Sequence, residues 1–361
     1  MQEKISLNIN VELMPEQSVK ISEYLYGLFL EDINYAVDGG LYAEMIKNRS
    51  FEYAEYAANG SWHGWDEVNG IERVIIDGSQ TATFLNANNI HFARLTNNAS
   101  TLAGIAGSGY LDGMAVKENA IYHFSAFLRG CNGYSGSVTV QIVDGDGGIL
   151  AKGSIPSLKE EWWRYELELI SNATANVDVR CQVLIEQGTV DMDMLSLFPE
   201  DTFRGRKNGI RKDIGEALAA LKPRFLRFPG GCITEGHTLD NAYSWKDSIG
   251  NGLSFEINGE LTTGDAAVRK HYYNLWGIDV QNPIHPYYTT YGIGFYEYFL
   301  FCEDIDCLAL PILNSGMSCQ FRGPAFGTAK DILPVDSPEM HQYVQDALDL
   351  VAFCRGVKDT Y

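Results

Sequence analysis

The run Phe225-Leu226-Arg227-Phe228-Pro229-Gly230-Gly231-Cys232-Ile233-Thr234-Glu235 constrains this chain more than any other. Its first four residues suit a buried strand. Pro229 cannot donate to a sheet ladder and ends it, and two glycines then let backbone or ligand approach closely. Polar and reactive groups follow at once, as they do where a buried parallel strand opens into a site. In an α/β barrel the loops after the strand C-termini build the active site, which would put Cys232 and Glu235 at the working end. The plainer alternative is a strand ending in a turn, with Cys232 merely buried.

Other parts of the chain repeat this texture. Residues 28–30 form a short apolar run that ends at Glu31-Asp32, and residues 308–313 form one that ends at Asn314-Ser315-Gly316. Two adjacent carboxylates after a buried strand are costly unless they have a partner or a task. Helical spacing is predicted over 41–48, 213–221, 294–304 and 340–353. Alternating strands and helices mean a parallel sheet with right-handed crossovers. Residues 56–198 differ. Seven short β-rich runs (71–76, 91–95, 120–128, 137–143, 162–169, 177–185, 190–197), separated by turn signals, predict a β-sandwich. Residues 5–13 alternate apolar and polar groups and read as one more strand, with no obvious partner. Residues 251–290 read as a long, aromatic-rich loop.

Composition narrows the partners. The net charge of −20 repels phosphate backbones and argues against nucleic acid. No apolar run is long enough for a membrane helix. The N-terminus carries no signal-peptide core, so the protein is read as secreted or periplasmic with its leader removed, or else cytoplasmic. The seven cysteines show neither CxxC nor a Cys/His zinc spacing, and fit reduced thiols better than a disulfide framework. No cofactor is called for. Asp191 and Asp193 are the only candidates weighed for a metal, a structural Ca²⁺. Aromatics make up 12% of the chain, and Trp62, Trp65, Trp162 and Trp163 fall in the sandwich segment, where each could stack on a sugar or fill the core.

At this point the sequence resembles a family, the α-L-arabinofuranosidases of glycoside hydrolase family 51, in the subtype with a carbohydrate-binding-like sandwich near the start. The matching stretches are 27–35 (GLFLEDINY), 39–44 (GGLYAE), 48–52 (NRSFE), 196–201 (SLFPED), 225–232 (FLRFPGGC) with Glu235-Gly236, 245–250 (WKDSIG) and 292–298 (GIGFYEY). The resemblance implies a (β/α)₈ TIM barrel and retaining removal of terminal non-reducing α-L-arabinofuranosyl groups from arabinose-containing polysaccharides by two glutamates about 5 Å apart. Only three βα units are predicted before Tyr361, too few to close eight strands. The chain is therefore read as the N-terminal part of a longer enzyme: residues 1–55 with the first strand and βα unit, 56–198 the inserted jelly-roll sandwich, 199–361 the second and third units. By resemblance the catalytic pair lies outside the sequence, leaving Glu235 as a weak alternative. Substrate binding is assigned to Glu31, Cys232, Trp245 and Asn314, with Cys232 where many relatives carry asparagine. Partners implied are an arabinose-containing polysaccharide or oligosaccharide and a further copy of the full-length protein. The competing readings are a non-catalytic carbohydrate-binding protein and a related retaining glycosidase such as a xylosidase or endoglucanase.

Overall fold

The structure, a computed structural model, describes residues 9–53, 60–81, 84–111, 113–250, 254–263, 265–277, 287–321 and 327–356. In chain order, β1 (Leu28–Phe29) is followed by β2 (Trp65–Val68), β3 (Glu72–Asp77), β4 (His91–Asn97), β5 (Ala103–Gly107) and β6 (Met114–Val116). Next come β7 (Ile121–Cys131), β8 (Val138–Val143), β9 (Ile149–Ile155), β10 (Trp163–Ile170), β11 (Ala175–Ile185) and β12 (Gly188–Pro199). Helix α1 (Lys212–Ala220), β13 (Phe225–Phe228), α2 (Cys232–Glu235) and α3 (Trp245–Ser248) precede the strand pairs β14 (Ser254–Ile257) with β15 (Glu260–Thr263) and β16 (Tyr272–Tyr273) with β17 (Tyr288–Thr289). Helix α4 (Phe295–Asp304), β18 (Leu308–Pro311) and α5 (Pro338–Cys354) complete the strands and α-helices among the described residues, which also hold short 3-10 and π turns.

Between β1 and β13 the chain builds two antiparallel sheets, β10-β7-β12-β4-β3 and β2-β5-β11-β8-β9, with β6 paired to β11. Their facing sides meet in one core, with Phe124, Leu128, Val190 and Met192 from the first sheet and Ile105, Val140, Cys181 and Val183 from the second. β12 is buried almost end to end because it lies between β7 and β4. A bulge between Asp193 and Ser196 shifts its register, and Met194 adopts a positive φ of 50°. The bulge re-aims the side chains. Met194 joins a small cluster with Phe127 and Ala267, while Phe198 reaches the other main core. One strand thus ties both cores together.

The second core surrounds a three-stranded parallel sheet, β1-β13-β18. Leu28 pairs with Leu226, and Phe225 with Leu308. Leu226 and Phe228 are buried on the helical side; the Phe228 ring stacks on Tyr298 at 4.7 Å and meets Phe295 and Phe299 edge-on. On the other face Phe29, Leu308 and Leu310 are 53%, 58% and 45% exposed, and the Arg227 guanidinium lies over the Phe29 ring at 4.5 Å. The pleat alternation of β13 therefore separates a helix-covered side from an apolar side left open.

Three expectations are corrected. Residues 9–13 are exposed and belong to no strand, and residues 5–8 lie outside the described residues. Alternation makes a strand only where a partner ladder exists, and none pairs there among the described residues. Residues 42–48 are not helical, and Leu41 only closes a π-turn over Val37–Leu41: Tyr42 bridges Ile210, Ala43 N–H donates to Gly209 O, Met45 N–H to Leu197 O, and Ile46 N–H to the Glu44 carboxylate, so the segment runs extended past residues 209–210 to β12. Residues 254–263, 265–277 and 287–290 are not a structureless loop. They hold β14–β17, with Tyr287 and Tyr288 buried and Tyr288 stacked on Tyr53 at 3.9 Å. Residues 251–253, 264 and 278–286 lie outside the described residues.

Candidate functional site

Because β1, β13 and β18 are parallel, their C-terminal ends open on one side. Pairing continues past the strands: Leu30 N–H donates to Arg227 O, Asp32 N–H to Pro229 O, and Ile312 N–H to Phe228 O. Glu31, the turn at Gly230 and Gly231, Cys232 and Asn314 are therefore brought to one edge. The turn requires glycine at Gly230: its φ is 154°, and a Cβ there would lie 2.6 Å from Glu31 Cγ and 2.4 Å from Ile233 Cγ2.

Glu31 is half-buried. Its Oε1 accepts from the backbone N–H of Gly231 at 3.2 Å and of Ile233 at 3.3 Å. Both donors address the same oxygen. The carboxylate is thus held by β13's terminal turn while Oε2 is left to other donors, which is what recognition of a vicinal hydroxyl pair needs. Cys232 opens α2, and burial together with Cys319 pushes its thiol up to about 12, so it is a neutral thiol. Its sulfur, that of Cys319 and a Glu235 carboxylate oxygen lie within 4.8 Å of one another.

Asn314 is at the right edge but is fully engaged. Its amide donates to Thr234 O at 3.0 Å and Glu235 O at 3.2 Å, and its Oδ1 accepts from Gly316 N–H and Met317 N–H. It fastens the loop after β18 to α2, so its expected role as a sugar contact is corrected to one of positioning. Trp245 is corrected too. It is 4% exposed, packed against Phe295 and Phe353, with its indole N–H donating to Asp346 O. An indole so covered offers no wall to a sugar; it holds α3 against α5.

The calcium expectation at Asp191 and Asp193 also fails. Asp191 is buried within β12 and accepts from Arg94 Nε at 2.6 Å, Arg94 Nη2 at 2.9 Å and Arg129 Nε at 2.9 Å. Asp193 accepts from the Ser50 hydroxyl and the Met194 N–H. Two guanidinium groups, not a cation, neutralise Asp191. Among the tryptophans, Trp65 is core, Arg73 lies over Trp62, Arg129 lies over Trp162, and Lys159 lies over Trp163.

The structure adds residues that sequence reasoning left unassigned. Asp32, next to Glu31, points to the opposite side and is buried; Tyr287 and Thr289 donate to its carboxylate, and Asn274 donates to its carbonyl. Asp38 is buried beyond it and accepts from Thr290 N–H and its hydroxyl. Below them Glu44 accepts from Leu197 N–H and Ser196 and faces Arg49 at 3.6 Å. Asp32, Glu44 and Arg49 fall within the family-like stretches, a signal that was present. Tyr287, Thr289 and Thr290 carry no local signal, because they reach Asp32 and Asp38 only through the tertiary fold.

Burial, reinforced by the charge of Asp38, raises Asp32 from 3.8 to about 7, and burial raises Asp38 as well. The folded Asp32 thus keeps its proton where the unfolded chain has released it. Its contribution to stability is fully present below about pH 4 and declines as pH rises toward 7, by about 1.4 kcal/mol per unit at most. Melting curves should show a higher Tm at pH 5 than at pH 8. Asp32→Asn, neutral at every pH and able to accept from Tyr287, should flatten that slope; an unchanged slope would contradict the assignment and leave the general acidity of the chain as the cause.

A cleft of about 360 Å³, bordered by Tyr42, Arg206, Arg269 and Glu297, lies away from the strand ends. Arg269 is paired with Glu297 and Arg206 with Asp304, so its polar groups face one another rather than a ligand. The strand-end edge remains the candidate site.

Comparison with known proteins bears on the chain as a whole. Residues 217–361 match the α-L-arabinofuranosidase 1 domain. An extracellular exo-α-L-arabinofuranosidase from Streptomyces chartreusis is 32% identical across 93% of this chain and 37% of its own length. α-L-Arabinofuranosidase 1 of Arabidopsis thaliana is 29% identical across 93% of this chain and 45% of its own length. An arabinose-bound α-L-arabinofuranosidase of family 51 superposes with a TM-score of 0.76 at 28% identity, over 91% of this chain and 48% of that one. The chain thus spans about half or less of the length of these relatives. In sequence and in fold the chain is similar, along nearly all of its length, to α-L-arabinofuranosidases, one of them of family 51.

Proposed function

We propose that this chain supplies the sugar-recognising edge of a retaining hydrolase that removes terminal non-reducing α-L-arabinofuranosyl groups from arabinose-containing polysaccharides. The observation that carries the reading is the likeness to named arabinofuranosidases across 93% of the chain. The superposable family 51 structure, described as arabinose-bound, supports it.

In this reading β1, β13 and β18 with their helices are the first three βα units of a (β/α)₈ barrel, and the segment 56–198 is a sandwich inserted after the first. The open apolar face of Phe29, Leu308 and Leu310 supports this, because in a barrel that face is turned to the interior and filled by the remaining strands. Glu31 then binds sugar hydroxyls through Oε2, and the Cys232 thiol borders the same sugar. The acid/base and nucleophilic glutamates are assigned outside this stretch of sequence, and Glu235 is not used as a catalyst. Secretion fits a relative described as extracellular, and among the described residues no helix is long and apolar enough to cross a membrane.

The test is hydrolysis of an aryl α-L-arabinofuranoside by the protein expressed from its complete reading frame. Release of arabinose with retained anomeric configuration is expected. Turnover of aryl xylosides or glucosides in its place would move the protein to another retaining class. Retardation in arabinoxylan gels without hydrolysis would favour a binding protein.

A further inference from the structure

Cys319 lies more than 80 residues beyond Cys232 and Glu235 in the chain, yet the fold brings it beside them. Cys232 and Glu235 lie one turn apart on α2, and Cys319 follows β18 in the next strand-end loop. Their three donor atoms lie within 4.8 Å of one another, and Cys319 is buried. Two helical positions three apart face the same way. The third is held in place by bonds that use none of the donor atoms: Cys319 N–H donates to Gly236 O at 2.9 Å, and the Asn314 amide donates to Thr234 O and Glu235 O. The scaffold of the cluster is thus fixed independently of any ligand.

A tetrahedral zinc with bonds of about 2.3 Å to sulfur and 2.0–2.2 Å to oxygen needs donors about 3.5–3.8 Å apart, a closure of at most about 1.3 Å from the 4.8 Å limit seen here. Two sulfurs select a thiophilic cation over Mg²⁺ or Ca²⁺, which prefer oxygen. We propose that Cys232, Cys319 and Glu235 form a three-ligand site for Zn²⁺ at the carboxyl end of β13, with its fourth position open. Both thiols surrender their protons to solvent on binding, and no redox partner is involved. The bound ion cross-links α2 to the loop after β18. Metal and sugar would then compete for the Cys232 sulfur, which borders the sugar in the arabinofuranosidase reading. The site goes beyond the arabinofuranosidase reading and does not depend on it, because its readout is metal binding and not hydrolysis.

The test uses the reduced protein with Co²⁺ as the probe, followed by Zn²⁺ in competition with a chromogenic chelator. A sulfur-to-cobalt charge-transfer band and a single tight equivalent of Zn²⁺ are expected. Cys232→Ser and Cys319→Ser should each diminish the band and weaken Zn²⁺ at least about tenfold, whereas Glu235→Gln should weaken Zn²⁺ but keep the band. A second thiol pair, Cys302 with Cys307, serves as the control: a Cys302→Ser/Cys307→Ser variant should bind as the parent does. Near-ultraviolet circular dichroism reports whether each variant is folded. The proposal is overturned by absence of the band, by a band that survives Cys232→Ser or disappears only in the control, or by loss of two thiols to a Cys232–Cys319 disulfide when the protein is handled in air.

Discussion

Glu31→Gln in the complete enzyme should lower kcat/KM on an aryl α-L-arabinofuranoside by about 10²-fold, with the fold unchanged. A hydrogen bond to a charged group is worth about 1.5–3 kcal/mol, and the larger figure corresponds to somewhat over 10²-fold. Glutamine keeps an acceptor for the Gly231 and Ile233 N–H groups, so the turn after β13 has no reason to collapse. What it loses is the second equivalent oxygen and the charge, to which the proposed function assigns two sugar hydroxyls. Profiled across aryl glycosides, the arabinofuranoside should suffer most. Equal loss on every substrate would mean that Glu31 only supports the turn. Unchanged kinetics would remove it from the site.

Asp191→Ala should cost about 3 kcal/mol, a fall in Tm of about 4 °C, without touching the strand-end groups. The carboxylate is buried at the centre of the five-stranded sheet between Arg94 and Arg129. Removing it strands the Arg129 guanidinium, which is 15% exposed and lies over the rings of Phe92 and Trp162. Arg94 is 37% exposed and can turn to water, so the loss sits at the low end for a broken buried pair. Ca²⁺ or a chelator should leave the Tm of the parent protein where it was. A loss below about 1 kcal/mol would reduce the triad to an ordinary surface ion pair. A Tm that rises with Ca²⁺ would restore the cation.

The legibility of the chain follows the range of its interactions. The three strands of the parallel sheet were readable because each is an apolar run ended by polar groups, a signal contained in a few consecutive residues. The β-rich character of the segment before Pro199 was readable for the same reason. Trp245 was assigned to the sugar by resemblance alone; only α5, which supplies Phe353 and the Asp346 carbonyl, shows that it is covered. Asp191 and Asp193 looked like calcium ligands because nothing local reveals that Arg94 and Arg129 arrive from neighbouring strands.

Glu31-Asp32 shows where the division falls. The sequence alone determined that two carboxylates follow a buried strand and need a partner or a task. It also determined the order of apolar runs, and with them the resemblance to arabinofuranosidases. Only the tertiary structure decided which carboxylate meets which donors: Glu31 the amides of the Gly-Gly turn, Asp32 the hydroxyls of Tyr287 and Thr289, far along the chain. The same holds for the Cys232, Glu235 and Cys319 cluster, which no spacing rule foretells. Strand propensity and burial act between neighbours and can be read along one dimension. Hydrogen bonds, ion pairs and metal sites depend on distances in three dimensions, which the packing of β1, β13 and β18 fixes.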